Sequence, residues 1–262
     1  MIDLVGAPEA ALREIADRGF TVVPGVIDAA QVAALRAELE DAIAEDLVRW
    51  GGNPQYRDAH MVMNLMTRGD ALLRLLENPV IQAYASALLG PTCILYAYTS
   101  SSMPPGGTNF SRRVHVDAPR WIPGYPTNVG FTLALDDFRE ENGAMSVLPE
   151  SHLSPATPDD ATFDAHAETV LPRAGEMIVF NARTFHRGGV NRTARARHAV
   201  TMNVCRAYMR QQFDYPRLVA PDLVARLGPV GRRFLGFDVR MPASLSEYYV
   251  AGEERLYKAG QG

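Results

Sequence analysis

From residue 92 to about 208 the chain is a succession of short runs rich in β-branched and aromatic residues, each closed by a turn signal, and this texture limits the fold more than any other feature. The runs are TCILYAYTSSS, RRVHVD, NVGFTLAL, AMSVL, ETVL, EMIVF and HAVTMNVCRAY. Between them stand Pro104-Pro105-Gly106-Gly107, Glu141-Asn142-Gly143, Arg173-Ala174-Gly175 and Arg187-Gly188-Gly189. Side chains of this kind suit a pleated, half-buried surface, and many short strands at this spacing imply an antiparallel barrel or sandwich.

The flanks read differently. Residues 8–18 are amphipathic, and Phe20 to Val26 form a short strand pattern broken by Pro24. Asp28 is placed to cap a long helical pattern that runs to Trp50 and is stopped by Gly51-Gly52-Asn53-Pro54. Shorter helical patterns follow at 70–77 and 79–89, and Gly90-Pro91 closes the second. Beyond residue 216, DLVARL and VGRRFL are again helical. The expected fold is mainly β with flanking helices. It divides a single domain, 1–262, into a helical layer with the first strand (1–91), a β core (92–208) and a C-terminal helical extension (209–262). With 262 residues, 47% of them hydrophobic, such a core is self-sufficient.

A formal net charge of -4 gives no general electrostatic reason to bind nucleic acid. No apolar run approaches the length of a bilayer span. The opening stretch MIDLVGAPEAALREIADRG has early acids and no signal-peptide core, so a cytoplasmic location is expected, as a monomer or homodimer and with no nucleic-acid or membrane partner. Cys93 and Cys205 each sit in an apolar run and read as buried free thiols; no CxxC pair is present for zinc.

Six histidines compete for a chemical role: His60, His115, His152, His166, His186 and His198. His115 and Asp117, two apart in RVHVD, point to one face if that run is a strand. His186 follows the apolar strand GEMIVF and precedes Gly188-Gly189, where the chain can pass close. Two histidines and a carboxylate on one face of a metal leave three positions open, as in non-haem Fe(II) oxygenases, where a bidentate 2-oxo acid and dioxygen complete the shell. The same donors also suit zinc, and an HxD pair often arises by chance in a packed strand. A 2-oxoglutarate cosubstrate also needs a cation for its far carboxylate, and the arginine fork fits best. Among Arg187, Arg192, Arg195 and Arg197, only Arg197 opens the strand pattern RHAVTMNVCRAY; the others fall in the preceding loop. His198 then alternates away from Arg197, and His152, in PESH, looks like a ligand.

Taken together, HVD, LALDDFREENGAMSVLPESH, PRAGEMIVFNARTFHRGGVN and RHAVTMNV resemble the phytanoyl-CoA dioxygenase family of Fe(II)/2-oxoglutarate oxygenases, over roughly residues 15–240. The resemblance implies a double-stranded β-helix core (jelly-roll, cupin-like). It also implies an Fe(II) centre on His115, Asp117 and His186, with 2-oxoglutarate held by Arg197 and O2 as oxidant. It places Thr132, on a strand facing the cosubstrate, and Tyr98, on the strand before the HxD, near that cosubstrate. Many members have a small polar residue where this chain has Gly188, so the carboxylate needs another partner here. Asp117 is retained, which argues against the halogenases of the family, and the family role of the PESH block is a structural turn, which implies that His152 is structural. The activity implied is oxidation of a small molecule, most commonly hydroxylation, in bacterial specialised metabolism and with release of succinate and carbon dioxide. A zinc hydrolase or a non-catalytic binder on the same fold is the competing reading. Substrate contacts are expected near the mouth from Asn64, Asn109, Arg113, Arg120, Trp121 and Arg183. Several arginines there point to an anionic substrate, unless they pair with Asp136, Asp137 or Glu140.

Overall fold

The computed structural model describes residues 6–255. The two ends of the expected 1–262 range, including MIDLV and the last residues of the tyrosine-containing tail, lie outside the described residues.

Local signals set most element ends. Helix α1 (Glu9–Arg18) stops at Gly19, whose φ of +92° is the left-handed region that only glycine enters freely. A Cβ there would also sit 2.7 Å from His152 Nδ1. The chain turns at once into β1 (Phe20–Val23). Asp28 accepts from the Gln31 backbone N–H (2.8 Å) while Gln31 Oε1 accepts from the Asp28 N–H (3.0 Å). This reciprocal capping box starts α2 (Ala29–Trp50), and left-handed Gly51 ends it. Two shorter helices, α3 (Asp70–Arg74) and α4 (Pro79–Leu89), complete the layer, with Asn78 capping the second.

Among the described residues eight strands form: seven lie in expected runs, while the other, at His186–Gly188, occupies part of what reads in the sequence as a turn. They are β1, β2 (Ile94–Ser100), β3 (Asn128–Ala134), β4 (Met145–Val147), β5 (Glu168–Val170), β6 (Met177–Asn181), β7 (His186–Gly188) and β8 (Ala199–Cys205). One antiparallel sheet has the order β1-β6-β3-β8-β2 and the other the order β5-β4-β7. Helix α5 (Asp160–His166) precedes β5, and four helical pieces follow β8: α6 (Tyr215–Leu218), α7 (Pro221–Val224), α8 (Pro229–Phe234) and α9 (Leu245–Tyr248). No helix among the described residues is long and apolar enough to cross a membrane.

The alternation of the larger sheet decides what faces the site. One face of β3 and β8 carries Val129, Phe131, Leu133, Val200, Met202 and Val204, buried in a core shared with Leu35, Leu39 and Leu72 of the helical layer. The opposite face carries Ala134, Ile178, Phe180 and Ala199 into a second core with Phe138, Met145 and Val147, between the two sheets. Gly130 lies on this inner face, and the Phe180 ring lies where its Cβ would be. Register puts Thr99 opposite Thr201, and Thr201 faces inward with Ala199. Tyr98 therefore faces the helices: it is fully buried and donates from its hydroxyl to the Leu72 carbonyl at 2.9 Å.

Two local expectations change. The run RVHVD is not a regular strand. His115 makes one antiparallel rung with His186, with N–H to carbonyl distances of 3.0 Å both ways. The Asp117 and Ala118 amides then both donate to the Ala182 carbonyl (2.9 Å each), which bends the chain off the sheet edge. Arg197 likewise forms an isolated rung with Met103, and β8 begins two residues later.

Candidate metal centre

The rung between His115 and His186 brings their rings to 4.2 Å between centroids. Each ring has its Nδ1 at a backbone carbonyl, His115 at Arg113 (2.8 Å) and His186 at Thr184 (3.0 Å). Nδ1 must donate in that contact, so each Nε2 keeps its lone pair and can bind a cation. Asp117 Oδ1 lies 3.6 Å from His115 Nε2 and 3.7 Å from His186 Nε2. All three donors fall within 4.8 Å of one another. Burial, reinforced by the neighbouring His115, pulls the His186 pKa down to about 4, so this ring is neutral near neutral pH. Two fixed imidazole lone pairs and one carboxylate on one side of a shared space fit a divalent metal with open positions.

These residues line a cavity of about 480 Å³ between the two sheets. Arg197 lies in the same cavity, 3% exposed. Its Nη1 and Nη2 donate to the carbonyls of Ser101 and Gly143, both at 3.0 Å, and its guanidinium lies 4.1 Å from the Phe138 ring centroid. Nε has no partner, and among the described residues Arg197 has no ion pair. Burial lowers its pKa to about 10, so it remains a cation. Asp136, whose charge acts on Arg197, is itself engaged by Arg36 and by the His198 amide. An uncompensated buried cation is costly, so an anion that entered this cavity could pair with it.

The other expected site residues divide among several places. Thr132 lines the metal cavity, as does the exposed Arg113. Tyr98 does not, for the register reason above. Asn64 does not either: its backbone is left-handed (φ +55°), and the segment 61–66 turns Met61 and Met63 into the cavity while Val62 packs in the core. Asn109 is a buried structural cap. Its Oδ1 accepts from the Ser111 amide and hydroxyl, and its Nδ2 donates to Ser101 Oγ and the Ser102 carbonyl. Arg120, Trp121 and Arg183 line a second cavity on the far side of Asp117–Ala118. His152 is structural as expected, with Nε2 at the Ala16 carbonyl (3.0 Å), and His198 turns away from the site to Ser102.

Gly188 is explained by its surroundings: a side chain there would run into Met103 Cε and Ser111 Oγ. The Ser111 hydroxyl thus occupies the space next to Gly188, inside the metal cavity. Thr99, Ser101, Thr201 and Asn203 also line that cavity and were not singled out from sequence. For Thr201 and Asn203 a signal existed, because both share the strand parity of Arg197.

The profile of the family described as Phytanoyl-CoA dioxygenase (PhyH) matches residues 15–199. An uncharacterized protein of Mycobacterium tuberculosis is 31% identical over 251 residues, covering 93% of this chain and 92% of its own. The epimerase SnoN from nogalamycin biosynthesis, solved with Fe3+, alpha ketoglutarate and nogalamycin RO, is 28% identical with a TM-score of 0.61, covering 75% of this chain and 82% of its own. The alpha ketoglutarate dependent carbocyclase SnoK shares the fold at 24% identity and a TM-score of 0.63, over 86% of this chain and 93% of its own.

Proposed function

The chain belongs to the phytanoyl-CoA dioxygenase family, an Fe/2-oxoglutarate-dependent dioxygenase with a β-rich jelly-roll core and flanking helices, and from that premise we propose that it hydroxylates a C–H bond of a small molecule in bacterial specialised metabolism. One observation carries the reading: three convergent metal donors and an unneutralised buried arginine share one cavity. When bound, the iron and 2-oxoglutarate would supply the electrons that activate dioxygen, with succinate and carbon dioxide as coproducts.

The chain's own residues do the rest. His115, Asp117 and His186 hold the metal, with both imidazoles locked in one tautomer by the Arg113 and Thr184 carbonyls. Arg197 takes the far carboxylate of 2-oxoglutarate, with Thr132 along its path. Ser111 fills the room beside Gly188, with its hydroxyl proton held by Asn109 Oδ1. Met61, Met63 and Phe110 keep bulk water from the reacting centre, and Arg113 at the mouth receives a polar or anionic part of the substrate.

An anaerobic mixture of protein, Fe(II) and 2-oxoglutarate should develop the weak visible charge-transfer band of a metal–2-oxo acid chelate. Asp117→Ala should abolish it. Wild-type protein without the band would sink the proposal. Candidate substrates are found by stimulated succinate release, and hydroxylation requires a product that gains one oxygen atom from O2. A product that gains none points instead to epimerisation or ring closure, the chemistries named for SnoN and SnoK.

A further inference from the structure

Behind the metal cavity lies a second one of about 350 Å³ that shares no lining residue with it. The wall between them is thin at three places. Asp117 lines one side and Ala118 the other, Phe180 one and Asn181 the other, and Asn203 is bonded across the wall to Asn128 at 2.7 Å. Leu88, Trp121, Ile122, Tyr125 and Leu153 give the second cavity apolar walls, and none of its described lining residues is acidic.

Arg183 projects from the turn before His186 into this space and is 7% exposed. Its Nη2 donates to the Pro155 carbonyl (3.1 Å), and the guanidinium lies 4.8 Å from the Phe185 ring centroid. Its Nε and Nη1 are buried and have no partner. No ion pair reaches it among the described residues, and burial alone shifts its pKa, downward. Two guanidinium donors held out of water and without an acceptor are rare in a folded protein, because each lost hydrogen bond is costly. Nε and Nη1 lie on different edges of the guanidinium, so a carboxylate pairs in parallel either with Nη1 and the second Nη2 proton or with Nε and that same proton. A second cation, Arg120, stands exposed at the edge of the same cavity. The walls, meanwhile, suit an apolar body.

We propose that this second cavity is a binding site for an organic monoacid, its carboxylate paired with Arg183 and its apolar portion against Trp121, Ile122 and Leu153. The site does not need the metal, so it is tested on metal-free protein and stands or falls apart from the proposed oxidation.

The reporter is built in, because the chain has two tryptophans and Trp121 lines the cavity while Trp50 is exposed on α2. In a Trp50→Phe background, 4-cyclohexylbutanoate should shift Trp121 emission and bind at least tenfold more tightly than 4-cyclohexylbutan-1-ol, which has the same apolar body. Arg183→Gln should erase that preference, whereas Arg197→Ala and Arg113→Ala should leave it intact. Arg183→Lys, which keeps the charge if the glutamine variant fails to fold, should retain a reduced preference. Equal binding of acid and alcohol overturns the proposal. So does a full preference that survives Arg183→Gln or Arg183→Lys, and so does a preference lost with Arg197, which would put the acid in the metal cavity.

Discussion

Replacing Arg197 by methionine should separate cosubstrate binding from stability, with the two effects far apart in size. In the wild type the guanidinium is buried with two carbonyl acceptors, a ring face and no anion. A carboxylate arriving at such a desolvated cation forms a charge-assisted pair, and truncating one partner of a buried pair costs roughly 2–5 kcal/mol. At 1.4 kcal/mol per decade, 2-oxoglutarate affinity should fall roughly 30- to 4,000-fold. Folding without cosubstrate is a different sum. The variant leaves the Ser101 and Gly143 carbonyls unpaired, each costing about 1–3 kcal/mol. It also removes an unpaired buried charge, and swapping buried ions for apolar residues of similar volume is often neutral or stabilising by about 1–4 kcal/mol. These contributions oppose each other, so thermal stability of the cosubstrate-free protein should change little. Anaerobic calorimetric titration of 2-oxoglutarate into the Fe(II)-loaded protein gives the affinity, and a thermal melt gives the stability. Arg197→Lys, which keeps the charge but not the fork, should fall between wild type and methionine. An unchanged affinity in Arg197→Met would refute the role assigned to the arginine, whatever the melt shows.

Two further outcomes follow from the sheet. Tyr98→Phe removes a fully buried hydroxyl bonded to the Leu72 carbonyl, so it should cost about 1–3 kcal/mol of stability by denaturant titration, with no change in 2-oxoglutarate affinity; a weakened affinity would return Tyr98 to the cosubstrate site. Gly130→Ala puts a methyl group into the Phe180 ring, which packs edge-on against His186, and overpacking of this kind costs typically 1–3 kcal/mol. It should lower both the melting temperature and metal affinity, and a melt identical to wild type would show that the ring moves aside freely.

Much of this was legible because it depends on near neighbours in the chain. Asp28 announces α2, Gly51 and Gly90 end their helices, and the β-branched runs other than RVHVD mark strands to within a few residues. The donor set was legible because chemistry restricts it to histidine and carboxylate, and Arg197 because a far carboxylate requires a cation. What failed was face selection. A strand's two faces look alike when both are buried, as in β3, where every residue is buried, so parity alone did not say that Thr99 faces inward and Tyr98 outward. Asn64 failed for another reason: its backbone is left-handed, so the chain does not run on there as an extended strand. The arginines around the site could not be sorted either. Whether Arg113, Arg120 and Arg183 open into one cavity or two depends on the bend after His115, and that bend rests on the Ala182 carbonyl, far away in the chain.

The rung that pairs His115 with His186 also has a kinetic meaning. Two of the three donors are brought within reach only when the smaller sheet zips to a segment far upstream, a long-range closure of the kind that forms late and slowly in β-rich chains. A partly folded chain, with helices made and that sheet edge open, holds one imidazole and one carboxylate, a poor chelate. Tight metal capture during refolding therefore reports closure of that edge, and the amides of His115 and His186 should gain protection from solvent exchange in the same phase.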